Sequence, residues 1–259
     1  VFSNEIKIED ICPRPSSMRF LLYNIRYGTG GNMNRFPLSG YVGRTGKHLE
    51  EIIHFLKESS ADVMGLIEVD SGSYRSGKKN QAEQIASAMG HYHTYKSKYA
   101  ENHPFLTRVP ILNKQGNAFV TRNNINREQC YYVTRGVKKL VMELELDDVV
   151  FLLVHLALSF KTRQEQLRQI KQIVKNIEKP CIVAGDFNVF KGRNELELFQ
   201  EAAGLIEPEG ERLPTFPSWK PRLGLDFIMH TPGVTVQQIR VPQVLYSDHL
   251  PVICDFEVS

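Results

Sequence analysis

Cysteine is scarce in this sequence: Cys12, Cys130, Cys181 and Cys254 are scattered over 259 residues without a Cys-x-x-Cys pair. The spacing argues against a zinc site or a thiol redox motif, and Cys181 and Cys254 sit in apolar runs that read as buried strands. No disulfide is suggested, so a reducing, cytoplasmic compartment is expected. No apolar stretch reaches the roughly 18 residues of a membrane span, and integral membrane association is not expected. Val1–Ser17 lacks the apolar core of a signal peptide. Charge of one sign is equally scarce, with 32 Lys+Arg against 29 Asp+Glu. That small excess excludes a long acidic tail and the basic stripe of a dedicated nucleic-acid binder. Repeats, low-complexity tracts and composition breaks are missing too, so one domain over residues 18–259 is expected, preceded by an arm at 1–17.

What is present is ordinary globular material, 42% hydrophobic and 24% charged. A chain of this length buries about 70–75% of its unfolded surface. It needs no structural metal, and any metal it holds serves chemistry. Met18–Asn24 and Asp62–Glu68 read as strands ending in polar residues, with a helical face at Leu49, Ile52, Ile53 and Leu56 between them. A short helix is expected between Lys78 and Met89, and strands at Asn117–Arg122 and Val137–Leu146. The latter meets Val149–Leu156 across Asp147-Asp148 as an antiparallel hairpin. A capping box, Thr162 with Glu165, opens the next helix. Pro180–Ala184 follows as a strand, Asn194 with Glu197 caps another helix, and short strands alternate with turns from Leu225 onward. Helices interleaved with partly antiparallel strands predict an α/β fold of two mixed sheets packed face to face, with helices outside.

Polar residues recur where strands end: Asn24, Glu68, His155, Asp186 with Asn188, Asp226, and Asp248 with His249. These types hold hard cations and move protons. Taken singly, each is better read as a cap, a turn or a satisfied core group, and turn chemistry alone accounts for Gly185-Asp186 with Asn188.

Their order changes the weighing. Tyr-Asn-Ile-Arg (23–26), Leu-Ile-Glu-Val-Asp (66–70), Leu-Val-His-Leu (153–156), Gly-Asp-Phe-Asn (185–188), Leu-Asp-Phe-Ile (225–228) and Ser-Asp-His-Leu-Pro (247–251) stand in sequence. Together the six motifs resemble the signature of the endonuclease/exonuclease/phosphatase superfamily, the DNase I-like metal-dependent phosphoesterases. The resemblance spans nearly the whole chain and implies a four-layer α/β/β/α sandwich that hydrolyses phosphoester bonds, most simply as a phosphodiesterase. It implies Mg²⁺, with Mn²⁺ as a substitute, held principally by Glu68 with Asn24 and Asp248 nearby. It also implies that Asp186 orients or deprotonates the attacking water, that Asn188 donates to a phosphoryl oxygen, that His249 pairs with Asp226, and that His155 contacts the phosphate. Which residue is acid and which base stays open.

Departures from family patterns narrow the branch. His155 stands where abasic-site endonucleases carry Tyr, and the Asn24 region lacks their Asn-Gly-x-Arg string. Five residues separate Trp219 from Leu225-Asp226, unlike inositol polyphosphate phosphatases. The partner is a phosphoester of open class: nucleic acid, a phospholipid as in sphingomyelinases, or a smaller ester. A binding protein that kept the fold without the chemistry is the alternative of a different class, and such a chain would have lost a motif residue. Two residues enter as substrate contacts: Arg75, as part of a phosphate-binding rim, and Trp219, as a stacking surface with a partly core position as its competing reading. Phe105-Leu106 and Val109–Leu112 supply either an apolar interfacial loop or buried packing.

Overall fold

Strands form here where apolar residues run on consecutive positions, the pattern of a strand covered on both faces. β1 (Met18–Asn24) and β2 (Val63–Asp70) are buried almost throughout, as are β4 (Gln115–Thr121), β6 (Leu140–Glu145), β7 (Val150–His155) and β8 (Cys181–Asp186). The computed structural model describes residues 17–31, 46–97, 112–133, 138–192, 194–208 and 214–259. The expected arm before Ser17, Cys12 and the apolar stretch 105–111 lie outside the described residues.

The remaining elements are α1 (Gly46–Ser59), α2 (Gln81–Met89), β3 (Tyr92–Ser97), β5 (Arg127–Tyr132), α3 (Phe160–Lys175), α4 (Asn194–Ala203), β9 (Asp226–His230), β10 (Val234–Arg240) and β11 (Val252–Val258). One sheet has the order β10-β11-β1-β2-β4-β3 and the other β5-β6-β7-β8-β9. In each, one pair is parallel, β1 with β2 and β7 with β8, while the other neighbours are antiparallel. The expected hairpin is the β6–β7 pair.

Because side chains alternate across a strand, the two faces of each sheet feed different cores. Phe20, Leu22, Ile67 and Phe119 of the first sheet meet Met142, Phe151, Leu153, Ile182 and Ile228 of the second in a shared interior. Phe151 anchors it, its ring 5.1 Å from that of Phe20. The outward residues Leu21, Tyr23, Met64 and Leu66 pack on Leu49, Ile52, Leu56 and Ile85 of α1 and α2. On the outer face of the second sheet, Leu152, Val154 and Val183 pack on Leu167, Ile170, Val174, Leu196 and Phe199 of α3 and α4. The order of layers is therefore helix, sheet, sheet, helix, as expected.

Local expectations needed correction in three places. The strands β3 and β5 are absent from the sequence reading because each lies at a sheet edge and exposes much of its length, which leaves no apolar run to detect. The helix α3 begins at Phe160 with Ser159 at its N-cap, so Thr162 and Glu165 lie inside the helix rather than forming a capping box. The first turn is held instead by Arg163, whose Nη1 donates to Ala157 O and Leu158 O over 2.9 Å each. Asn194 likewise is the first helical residue of α4.

Candidate active site

The two parallel pairings decide where the polar strand ends meet. Asn24, the last residue of β1, lies beside Ile67 of β2, three residues before that strand ends, and His155 lies beside Asp186 where β7 and β8 end. The antiparallel strand β9 starts at that end, so its first residue, Asp226, stands opposite Asp186. Asn24 joins the sheets, its Nδ2 donating to Asp186 Oδ2 over 3.3 Å.

Two backbone features aim this cluster. In β2 the register steps from Leu66–Ala118 to Val69–Gly116, so Ile67 and Glu68 together face Asn117. This is a β-bulge, a device that bends a strand and redirects a side chain. Glu68 within it takes φ +58°, which costs on the order of 1–3 kcal/mol for a side-chain-bearing residue. Its carboxylate comes within 4.0 Å of His155 Nε2. At the end of β8, a Cβ on Gly185 would stand 1.9 Å from Val154 O. Glycine there lets β7 and β8 stay paired up to His155 and Asp186.

Asp186 is the hub. Its Oδ1 accepts the backbone N–H of Asn188 over 3.0 Å, and its Oδ2 lies 3.3 Å from His155 Nε2 and 3.9 Å from His249 Nε2. Asn188, at φ +53°, gives one amide hydrogen to Leu156 O over 2.9 Å, which leaves its second for a ligand. His249 Nδ1 donates to Asp226 Oδ2 over 2.7 Å, and the same oxygen accepts Thr215 Oγ1–H over 2.5 Å. The Phe216 ring lies 5.0 Å from the His249 ring.

The electrostatics divide the two imidazoles. Burial lowers His249, but the charge and hydrogen bond of Asp226, with Asp186 and Asp248, raise it to about 10. Burial and the Lys138 charge lower His155 to about 4, against Asp186 and Glu68. Burial would raise Asp186, yet the His155 hydrogen bond and the charges of His249, His155 and Lys138 hold it well below the usual carboxylate range. At neutral pH the site thus presents an imidazolium, a neutral imidazole and a carboxylate side by side.

Glu68 and Asp248 supply hard oxygen atoms. Among the described residues no group of three or more His, Cys, Asp and Glu forms a ready-made metal cage. Mg²⁺ does not require one, because it keeps several waters and is bound by one or two carboxylates with the substrate phosphate. Burial raises the pKa of Asp248, and the nearby negative charge of Glu68 raises it further, against His249 and Arg26. A cation held by these carboxylates would relieve that repulsion, so the donor set fits a hard divalent ion. Asn24 Oδ1 already accepts the Arg26 N–H over 3.1 Å, and Arg26 Nε lies 3.3 Å from Asp248 Oδ2.

All eight strand-end residues thus gather at one end of the sandwich; the two substrate contacts fare differently. Arg75 is not on a rim. Its side chain is fully buried, Nη2 donates to Asp70 Oδ2 over 2.8 Å, and its guanidinium lies 4.6 Å from the Tyr27 ring centre. Asp70 also accepts Ser73 N–H over 2.7 Å and Ser76 Oγ–H over 3.1 Å, and Gln81 joins Asp70 N to Tyr27 O. Arg75 therefore fastens the loop after β2 to the segment after β1. Trp219 is 40% exposed, outside the core, on a loop tied to the site by Ser218 N–H donating to Asp248 O over 2.8 Å. Thr215, Ser247 and Lys138 join the site without a place among the sequence candidates. Thr215 precedes Phe-Pro-Ser-Trp at 216–219, and Ser247, which donates to Asn24 O over 2.7 Å, opens Ser-Asp-His-Leu-Pro. Lys138, which contacts His155 Nε2, carries no signal in the sequence.

The model of the Endonuclease/Exonuclease/phosphatase family matches residues 21–249. No curated protein matches the chain in sequence. A Bacteroides thetaiotaomicron protein of the same family name superposes with a TM-score of 0.71 at 16% identity, covering 95% of this chain and 99% of that one. The human nocturnin catalytic domain with bound sulfate gives 0.67 at 19% identity, covering 95% and 96%. A mannosyl-6-phosphatase of B. thetaiotaomicron gives 0.67 at 15%, covering 92% and 99%. At these identities the structures establish a shared fold.

Proposed function

This chain belongs to the endonuclease/exonuclease/phosphatase family, and we propose that it is a Mg²⁺-dependent phosphoesterase that cleaves phosphodiesters. The observation that carries this reading is the meeting of Glu68, His155, Asp186 and the His249–Asp226 pair at one point, with Asp186 between both imidazoles. A purely structural set of caps and turns would have no reason to converge from four strands and a loop.

Glu68 and Asp248 would hold the ion, with Asn24 alongside. When bound, Mg²⁺ supplies positive charge to a phosphoryl oxygen as a Lewis acid. Asp186 is ionised and accepts a hydrogen bond from the attacking water, which sets the direction of attack on phosphorus. His249, kept protonated by Asp226, donates from Nε2 to an oxygen that gains negative charge. The second amide hydrogen of Asn188 does the same without carrying charge. Water oxygen bonds to phosphorus as one of its protons passes to Asp186, the ester P–O bond breaks, and the leaving oxygen takes up one proton, so that no net proton is gained or lost. The nocturnin domain, which has the same fold, holds a sulfate, a tetrahedral oxyanion, and this supports the reading.

The test is hydrolysis of bis-p-nitrophenyl phosphate, p-nitrophenyl phosphate, plasmid DNA, RNA, sphingomyelin, phosphoinositides and nucleotides, with Mg²⁺ or Mn²⁺ and with EDTA. EDTA-sensitive diester hydrolysis is expected. Inactivity on every substrate would overturn the enzyme reading in favour of a binding protein, and activity on monoesters alone would replace diesterase by monoesterase.

A further inference from the structure

Lys138 precedes β6, and its ammonium contacts His155 Nε2 inside the candidate site. Two other cations of this end are committed, Arg26 beside Asp248 and Arg75 to Asp70. Among the described residues Lys138 forms no salt bridge, and its partner is the imidazole. Its backbone is fixed by Gln166 of α3, a fully buried residue. Gln166 Nε2 donates to Lys138 O over 2.6 Å while its Oε1 accepts Ala157 N–H over 2.9 Å. One glutamine thus ties the lysine to the segment that follows His155. The flexible four-carbon stem is what remains to move.

The contact has a consequence for His155. An ammonium carries three hydrogens and no acceptor, so its bond to Nε2 requires that nitrogen to lack a hydrogen. In that form Nε2 cannot donate to Asp186 Oδ2, 3.3 Å away. Lys138 and Asp186 compete for one ring nitrogen. A ligand with anionic oxygens ends the competition by accepting from the lysine, and a further cation beside the His249 imidazolium favours such a ligand because Glu68, Asp186, Asp226 and Asp248 bring negative charge to this end.

We propose that Lys138 is a phosphate-binding residue, which rests on His155 in the free protein and passes its hydrogen bond to a phosphoryl oxygen of the substrate. The exchange frees His155 Nε2 for its Asp186 side. This assignment rests on the phosphoesterase reading for the identity of the ligand, but its test does not require turnover.

Inorganic phosphate is titrated in Mg²⁺-containing buffer into wild-type, Lys138→Met and Lys138→Arg proteins, with imidazole ¹⁵N–¹H signals followed by NMR. His155 should shift with phosphate in the wild type. The dissociation constant should rise about tenfold in Lys138→Met, the loss expected of a charge-assisted hydrogen bond, and recover toward wild type in Lys138→Arg. KM for the best substrate of the panel should rise similarly, with kcat changed less. Unchanged phosphate affinity in Lys138→Met, or no phosphate response in the wild type, overturns the proposal. Phosphate binding through Lys138 without hydrolysis of any ester overturns the phosphoesterase reading alone, and hydrolysis with unchanged phosphate affinity overturns the lysine alone. Lys138→Gln answers the same question should Lys138→Met fail to fold.

Discussion

Asp226→Asn removes one charge and keeps the shape. Asp226 Oδ2 takes hydrogen bonds from His249 Nδ1 over 2.7 Å and from Thr215 Oγ1 over 2.5 Å. An asparagine oxygen in that place accepts both as neutral bonds, and the new amide group falls where Oδ1 has no hydrogen-bond partner. The difference between a charged and a neutral bond to His249 is about 1–2 kcal/mol. For a chain of this size that lowers Tm by about 2–8 °C at neutral pH. The His249 pKa of about 10 in the folded protein lies above its ordinary 6.5. Folding therefore binds the proton more tightly, and the pair's contribution is fully present below pH 6.5 and lost as pH rises through about 10. The Tm gap between wild type and variant should narrow across that window in calorimetry at constant Mg²⁺. In activity, loss of a positioned acid–base group lowers kcat by about 10²- to 10⁴-fold. Because the two residues act as one unit, Asp226→Asn with His249→Ala should be little worse than His249→Ala alone. A His249 imidazole that titrates near 6.5 in the wild type, or fully multiplicative kinetic losses, would refute the pairing.

Three other substitutions separate metal, scaffold and backbone roles. Glu68→Gln should shift the Mg²⁺ activation curve to higher concentration, with partial recovery of rate at high Mg²⁺ or Mn²⁺; superimposable metal titrations would remove Glu68 from the ligand set. Arg75→Met leaves Asp70 buried and without its cation, so stability should fall by about 3–5 kcal/mol in urea unfolding, whereas a stable variant with raised KM would return Arg75 to the substrate. Gly185→Ala forces a Cβ to within 1.9 Å of Val154 O and should cost about 1–3 kcal/mol or more; wild-type stability and unchanged activity would show that β7 and β8 tolerate separation at His155.

Where strands lie on both sides of a packed interior, their apolar runs are legible in the chain itself. Met18–Asn24 is legible to the residue, and β2, β7 and β8 to within a few residues. The polar residue closing each run is legible for the same reason, since a hydrophilic side chain ends the burial. The edge strands β3 and β5 are not, because one-sided exposure erases the pattern.

Six motifs in order are enough to indicate the family and to name the strand-end residues. Which of them touch is decided by topology. Two parallel pairs bring four strand ends to one side, and the register of β8 with β9 sets Asp226 opposite Asp186. Arg75 and Lys138 show the limit most plainly. Both are long cations whose partners no local reading identifies. The fold buries Arg75 against Asp70 and delivers Lys138 to His155. Local sequence determines which side chains must leave water, but the partner of a long charged side chain is set by strands and loops distant in the chain, and that only tertiary packing decides.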